Sequence, residues 1–328
     1  MSTSTSLPGP VQAGAPLLDP QGGIPAGPGA PSGRGRRSNP TPAGAGHPLT
    51  RSARYKLGNV LVTLILSLGA IVMLGPLIWT FSTSLKTHDA IFALPPQWIP
   101  DPVMWDNYLR VWSAGPLLSG IRNSLIVAGT VTVIGSITSS IAAFAFAKMR
   151  MPFKNAAFLM LLAGLMIPFP TIMIPQFMVF ANIGWVDTLL PLIVPGLFGN
   201  IIMIFFLKQY LENVPDSIIE AAKLDGASYL QIFFRLIFPA IRPAMAAQFI
   251  LWFMAVWNDY LAPIIYLNTP EKQTLQLVIA SFNAQYASQT DYPLIMAASF
   301  IALLPVLIVF IVFQRQIIES VALTGGKG

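Results

Sequence analysis

Thirteen carboxylates, two histidines and no cysteine supply the reactive side chains of this 328-residue sequence. Lacking cysteine, it has no disulfide, thiolate metal site or sulfur nucleophile. His47 and His88 lie far apart, and neither His-Glu-x-x-His nor Gly-x-Ser-x-Gly occurs. Gly325-Gly326-Lys327-Gly328 has neither the spacing nor the hydroxyl of a phosphate-binding loop, so the chain is expected to bind no ATP itself. No catalytic, cofactor or metal site is therefore expected. Two places remain where polar side chains gather. One is a segment carrying Glu212, Asp216, Glu220, Lys223 and Asp225; the other is Asn258-Asp259-Tyr260 inside an apolar run.

The first segment, about 210–243, carries helix start and stop signals. Pro215 suits a first helical turn, where its missing N–H costs nothing. Ser217-x-x-Glu220 fits a capping box, so a start at either residue is open. Gly226 is placed to end the helix in the left-handed conformation. Ser228-Tyr229-Leu230-Gln231 then opens a second helix, expected to be short and to run toward Pro239. Ile218, Ile219, Ala222 and Leu224 give the first helix an apolar side that nothing in the segment covers, which argues for a protein partner. A hairpin lying on a membrane would place Lys and Arg, rather than Glu220 and Asp225, beside these residues.

The surrounding elements must be membrane spans. The chain is 54% hydrophobic and 10% charged, with mean hydropathy +0.65; a soluble domain carries about 25% charge. Six runs reach the ~20 apolar residues needed to cross hydrocarbon: about 57–81, 121–147, 155–181, 187–209, 244–267 and 293–314. Their continuity excludes a β-barrel, so the fold class is all-α, a polytopic six-helix membrane protein. With a cytoplasmic N-terminus, 15 Lys and Arg fall inside and 4 outside, which puts both termini in the cytoplasm. Residues 1–54 form a Pro/Gly-rich tail expected to be disordered. Arg34, Arg36 and Arg37 make it either a solvated tail or a weak contact with anionic lipid. Residues 55–328 form the membrane domain. The outer loop, about 82–120, is expected to pack as a cap. Pro168, Pro170 and Pro175, then Pro191 and Pro195, break the third and fourth spans, as a gate or as fixed kinks.

Asp259 is the one acidic residue well inside a run, where a charge costs ~2.5–3.5 kcal/mol and must face protein or water. Asn258, Asp259 and Tyr260 either line a solute pathway or form a local pair or cap at the outer helix end, the latter favoured. Trp252 and Trp257 read as packing rather than as stacking platforms.

At the polar segment a resemblance becomes specific. Glu220-Ala221-Ala222, three residues, Gly226, nine residues, then Leu236-Ile237-Phe238-Pro239 resembles the EAA loop of binding-protein-dependent ABC importer permeases. Leu236 and Phe238 depart conservatively from the family's ending. Pro76-x-x-Trp79 with Ser84-Leu85-Lys86, Asn123-Ser124, Met166-Ile167-Pro168, Trp257-Asn258-Asp259-Tyr260 and the Lys327-Gly328 ending resemble the carbohydrate-uptake branch, of the maltose-type second permease. The resemblance implies a type I permease fold and an inward sugar transporter in the cell membrane. Its partners would be a second permease, two cytoplasmic ATPases holding ATP and Mg, and an extracytoplasmic solute-binding protein; no nucleic acid is implied. Glu220, Ala221, Ala222, Asp225, Gly226, Ala227, Ser228 and Pro239 would couple it to an ATPase. A cargo of glycerol phosphate or polyamine is the alternative. An ion-coupled secondary transporter would need more intramembrane carboxylates and repeated halves, and a structural scaffold would leave the EAA spacing unexplained.

Overall fold

The structure is a computed structural model that describes the backbone of residues 49–285 and 290–325, and the side chains of 59–283 and 290–316. The expected tail lies outside the described residues up to residue 48; from Leu49 the backbone is helical. Of two compact units, Met1–Val62 and Thr63–Gly328, the described part of the first is the opening stretch of one helix, and the sites lie in the second.

The described residues are helical and contain no strand. The long apolar helices are α1 (Leu49–Ser84), α4 (Leu117–Lys148) and α14 (Tyr292–Gly325). Short α2 (His88–Ile91) and α3 (Asn107–Ser113) lie between the first two. The third expected span is two helices, α5 (Lys154–Gly164) and α6 (Phe169–Asn182), bent by 95°. Pro168 causes the break, because the residue before a proline is pushed out of the helical region. Pro170 sits in the first turn of α6, where it costs no hydrogen bond.

The fourth span is α7 (Leu190–Leu197) followed by α8 (Ile201–Glu212). Here the break falls at Phe198–Asn200 and not at the prolines. Gly199 takes φ +110, and Ser139 Oγ accepts from Asn200 N at 2.8 Å. Pro191 occupies the first turn of α7. Asn200 Oδ1 caps α8 by accepting from Met203 N at 3.0 Å.

The fifth span differs most from expectation. It starts at Tyr229 and ends at Trp257, against the expected 244–267. A short α10 (Tyr229–Ile232) runs through a π-turn, Phe233–Ile237, into α11 (Phe238–Trp257). Pro239 therefore ends nothing. The wide turn pairs Phe238 N with Phe233 O, an i→i−5 bond that absorbs an extra residue immediately before the proline. After Trp257 the chain turns into α12 (Leu261–Tyr266), then α13 (Leu275–Gln285).

Hydrogen bonds identify the two ends of the bundle. At the start of α4, Asn123 Nδ2 donates to the carbonyls of Glu271 and Gln273, each at 2.9 Å. At its other end, Lys148 Nζ donates to Val214 O at 2.7 Å and to Asp216 Oδ1 at 2.6 Å. Asp187 joins the first end, bonding Asn268, Thr269 and Lys272. The bent pair α5–α6 links Lys148's end to Asp187's end, so it makes one crossing. With it, the described residues hold six segments long and apolar enough to cross a membrane.

Two buried clusters fill the bundle. One joins α4, α8 and the start of the fifth span through Phe144, Leu207, Ile232 and Phe233. The other joins α4, α11, α13 and α14 through Leu117, Trp257, Phe282 and Ala298. At mid-height Gly135 admits no side chain: a Cβ there would sit 2.3 Å from Trp252 and 2.6 Å from the Gly196 carbonyl. Trp257 is buried and donates Nε1–H to Ala302 O at 3.1 Å; it packs, as expected.

The outer loop is a cap only in part. Asn107 is buried and its Nδ2 donates to the carbonyls of Ser84 (2.9 Å) and Lys86 (3.1 Å), seating the Ser84-Leu85-Lys86 turn. Leu94, Trp98, Ile99 and Trp105 stay exposed, because the Pro-rich stretch 93–102 forms no helix whose apolar side could dock.

Candidate functional site

The Glu220 segment folds as α9 (Asp216–Leu224) with Pro215 at its N-cap and no side-chain cap bond. The Ser217–Glu220 box does not form; Lys148 holds Asp216 in the first turn instead, an ion pair favoured at a helix N-terminus. That pairing with an ammonium holds the Asp216 carboxyl below its usual range. At the other end Ala227 N donates to Ala222 O and Gly226 N to Lys223 O, both at 3.0 Å, the two bonds of a Schellman stop. Gly226 takes φ +80, a conformation that costs a side-chain-bearing residue strain.

The second box forms fully. Ser228 Oγ accepts from Gln231 N at 3.4 Å, and Gln231 Oε1 accepts from Ser228 N at 2.8 Å. Because α10 continues into α11, this corner is the first turn of a 29-residue helix. The Gly226 corner is therefore joined to the fifth span with no intervening loop. The expected pair of short helices is corrected on this point.

The expected uncovered apolar side is half covered. Ile219 is buried in the cluster with Phe144, Ile232 and Phe233, and Ala222 packs against it. The surface that remains presents Glu220, Ala221, Asp225 and Ser228 beside Ile218 and Leu224, with Leu224 89% exposed. Pro239, also exposed, lies a full turn and more into the fifth span. Sequence reasoning missed Lys148 because its partner lies 68 residues away, with no local pattern to announce it. It also missed Tyr229, whose hydroxyl meets Lys223 Nζ at 2.6 Å.

The second gathering lies at the opposite end. Asn258-Asp259-Tyr260 forms the turn between α11 and α12. Asp259 Oδ1 accepts from Leu261 N at 3.0 Å and from Ala262 N at 3.3 Å, so it caps α12. It also lines a cavity of about 260 Å³ with Ser124, Gln176, Tyr266 and Thr274. Asn258 and Tyr260 are exposed and do not line it; Asn258 bonds Met254 O at 2.9 Å and Gln276 Nε2 at 3.3 Å. Tyr266 donates to Gln176 Oε1 at 3.1 Å, while the buried hydroxyl of Thr274 has no protein partner. Gln176 left a readable trace, a lone amide within an apolar run; Thr274 left none. The lining contains no Lys or Arg. Among the described residues, no cluster of three His, Asp or Glu side chains could hold a metal.

The sequence pattern of the family described as "binding-protein-dependent transport system inner membrane component" matches residues 132–322, from mid-α4 through α14. The chain belongs to this family. It is a multi-pass inner-membrane transport subunit. The chain is 29% identical to the diacetylchitobiose uptake system permease of Streptomyces coelicolor, over 79% of this chain and 85% of that one. It is 29% identical to the lactose transport system permease of Rhizobium radiobacter, over 81% and 96%. The sn-glycerol-3-phosphate permease of Yersinia pestis is also 29% identical, over 80% and 95%. A solved structure of a bacterial ABC transporter for import of the acidic polysaccharide alginate superposes with TM-score 0.66 at 23% identity. It covers 79% of this chain and 96% of that chain, which supports the permease fold.

Proposed function

We propose that this permease moves a sugar or oligosaccharide inward by alternating access, driven by ATP hydrolysis on a partner chain. The observation that carries the reading is the corner at Gly226: a stopped and capped helix pair, seated on its own core, held to α4 by Lys148 and continuous with the fifth span. Its exposed Glu220, Ala221, Asp225, Leu224 and Ile218 form a compact surface for an ATPase groove. Coupling needs an element that moves as a unit between discrete arrangements, and this corner is such an element. The charge count supports a cytoplasmic corner and cytoplasmic termini. A second permease, two ATPase subunits with ATP and Mg, and an extracytoplasmic solute-binding protein complete the machine.

Sugar is favoured by two relatives named for oligosaccharides, and by a cavity whose Asp259, Gln176, Ser124 and Thr274 suit hydroxyls. A phosphate cargo would leave this cavity without a countercharge. Transport assays on the assembled importer test the coupling. Glu220→Lys is expected to abolish uptake while the chain inserts and assembles normally. Uptake at the wild-type rate would overturn the assignment of this corner.

A further inference from the structure

At the Asp187 end of the bundle, separate from the cavity beside Asp259, lies a larger polar hollow of about 770 Å³. The end of α1, α2, α3 and the start of α14 enclose it, and it shares no lining residue with the smaller cavity. Its charged walls are Lys86, Asp89, Arg110 and Asp291, with His88 beside them.

The charges are not equally satisfied. Arg110 pairs with Asp291 at 2.7 Å and donates to Asn107 Oδ1 at 3.2 Å. Lys86 is only 1% exposed, yet no carboxylate of the described residues lies within 4 Å of its Nζ, and no hydrogen bond reaches that atom. Its ammonium rests on the face of Trp79, 4.1 Å from the ring centre. The ring face replaces only part of the ammonium's water shell, and the amine reaches the open space of the hollow. Partial burial lowers the Lys86 pKa.

The position is also fixed. Asn107 grips the carbonyls on both sides of Leu85, and Lys86 N donates to Thr83 O. The side chain is therefore held against Trp79 with its amine at the wall of the hollow. Asp89, on the same wall, takes part in no ion pair within 4 Å among the described residues.

We propose that this hollow is a binding site for a small hydroxylated oxyanion, its carboxylate or phosphate group seated on Lys86 and its hydroxyls on Asp89 and His88. The anion supplies the countercharge that the fold omits. The site stands apart from the sugar reading of the smaller cavity, and its test needs neither ATP hydrolysis nor uptake.

The test is equilibrium binding to the full-length chain in lipid nanodiscs, read by thermal shift and calorimetry. The probes are glucuronate, glucose and inorganic phosphate. Glucuronate, phosphate or both are expected to bind at least about tenfold tighter than glucose; which one binds identifies the group. Lys86→Met is expected to remove that preference and Lys86→Arg to keep it. If Lys86→Met does not fold, the wild-type preference over glucose still decides. Equal affinity for glucuronate, phosphate and glucose, no binding of either anion, or an undiminished preference in a folded Lys86→Met protein would each overturn the site.

Discussion

The corner around Gly226 and the clamp around Asp187 hold opposite ends of one bundle by different means. The corner is local: its stop, box and turn join residues three to five apart, and one distant cation, Lys148, fastens it. The clamp is almost wholly distant. Asp187, at φ +61, accepts from Asn268 N (3.0 Å), Thr269 N (2.9 Å), Thr269 Oγ1 (2.6 Å) and Lys272 Nζ (2.8 Å), partners more than 80 residues away. Short-range bonds let the corner keep its shape whatever the rest of the bundle does, which suits the lever role proposed for it. A rim that must position loops from several helices has to reach across the chain.

This contrast can be broken in order of size. Gly135→Leu, at mid-height between the two ends, should abolish folding of both, because even its Cβ would lie 2.3 Å from Trp252 and 2.6 Å from the Gly196 carbonyl, which cannot move aside. Expression with limited proteolysis in membranes would show it, and a stable variant would refute the close approach. Ile219→Ala should cost ~2–5 kcal/mol and raise amide exchange across 216–232 before it does so at the clamp. Lys148→Met should lower stability only slightly, since exposed Asp216 can turn to water and Val214 O alone loses its donor, and should slow ATP-driven uptake more than it lowers the melting temperature.

The clamp should show the smallest effect, and one that depends on pH. Four donors, Lys272 foremost, hold the Asp187 carboxyl well below its usual value. A carboxylate depressed in the fold stabilises it above its unfolded pKa of about 3.9 and loses that contribution as pH falls through the lower, folded value. Protection of the amides at 268–272, taken relative to their intrinsic exchange rates, should therefore be flat from neutral pH down to about 4 and fall only below it. Asp187→Asn should show the lowered protection already at neutral pH.

How much could be read beforehand follows the same division. Gly226, the Ser228 box and the apolar runs were legible because their cause lies within one or two helical turns. The sequence also carried the six crossings, although the break in the third follows from one Pro168 whose bend angle no composition determines. Lys148, Thr274, the Asp187 clamp and the true start of the fifth span were not legible. Each depends on which residues meet across the bundle. Pro239 misled for a related reason: a proline normally marks a helix end, and here an unusual turn just before it lets the helix continue.

That turn, Phe233–Ile237, holds one residue more than the helix around it requires. Converting it to regular helix would rewind everything on its Tyr229 side by about 100°, carrying exposed Leu230 around the axis while Trp257 stays in place. The slack thus sets the angular phase between the exposed corner at Gly226 and the membrane segment that continues from it. Deleting one residue from the turn would remove that surplus and leave regular helix with the two still in phase, whereas substitutions that regularise the turn at its full length would put them out of step.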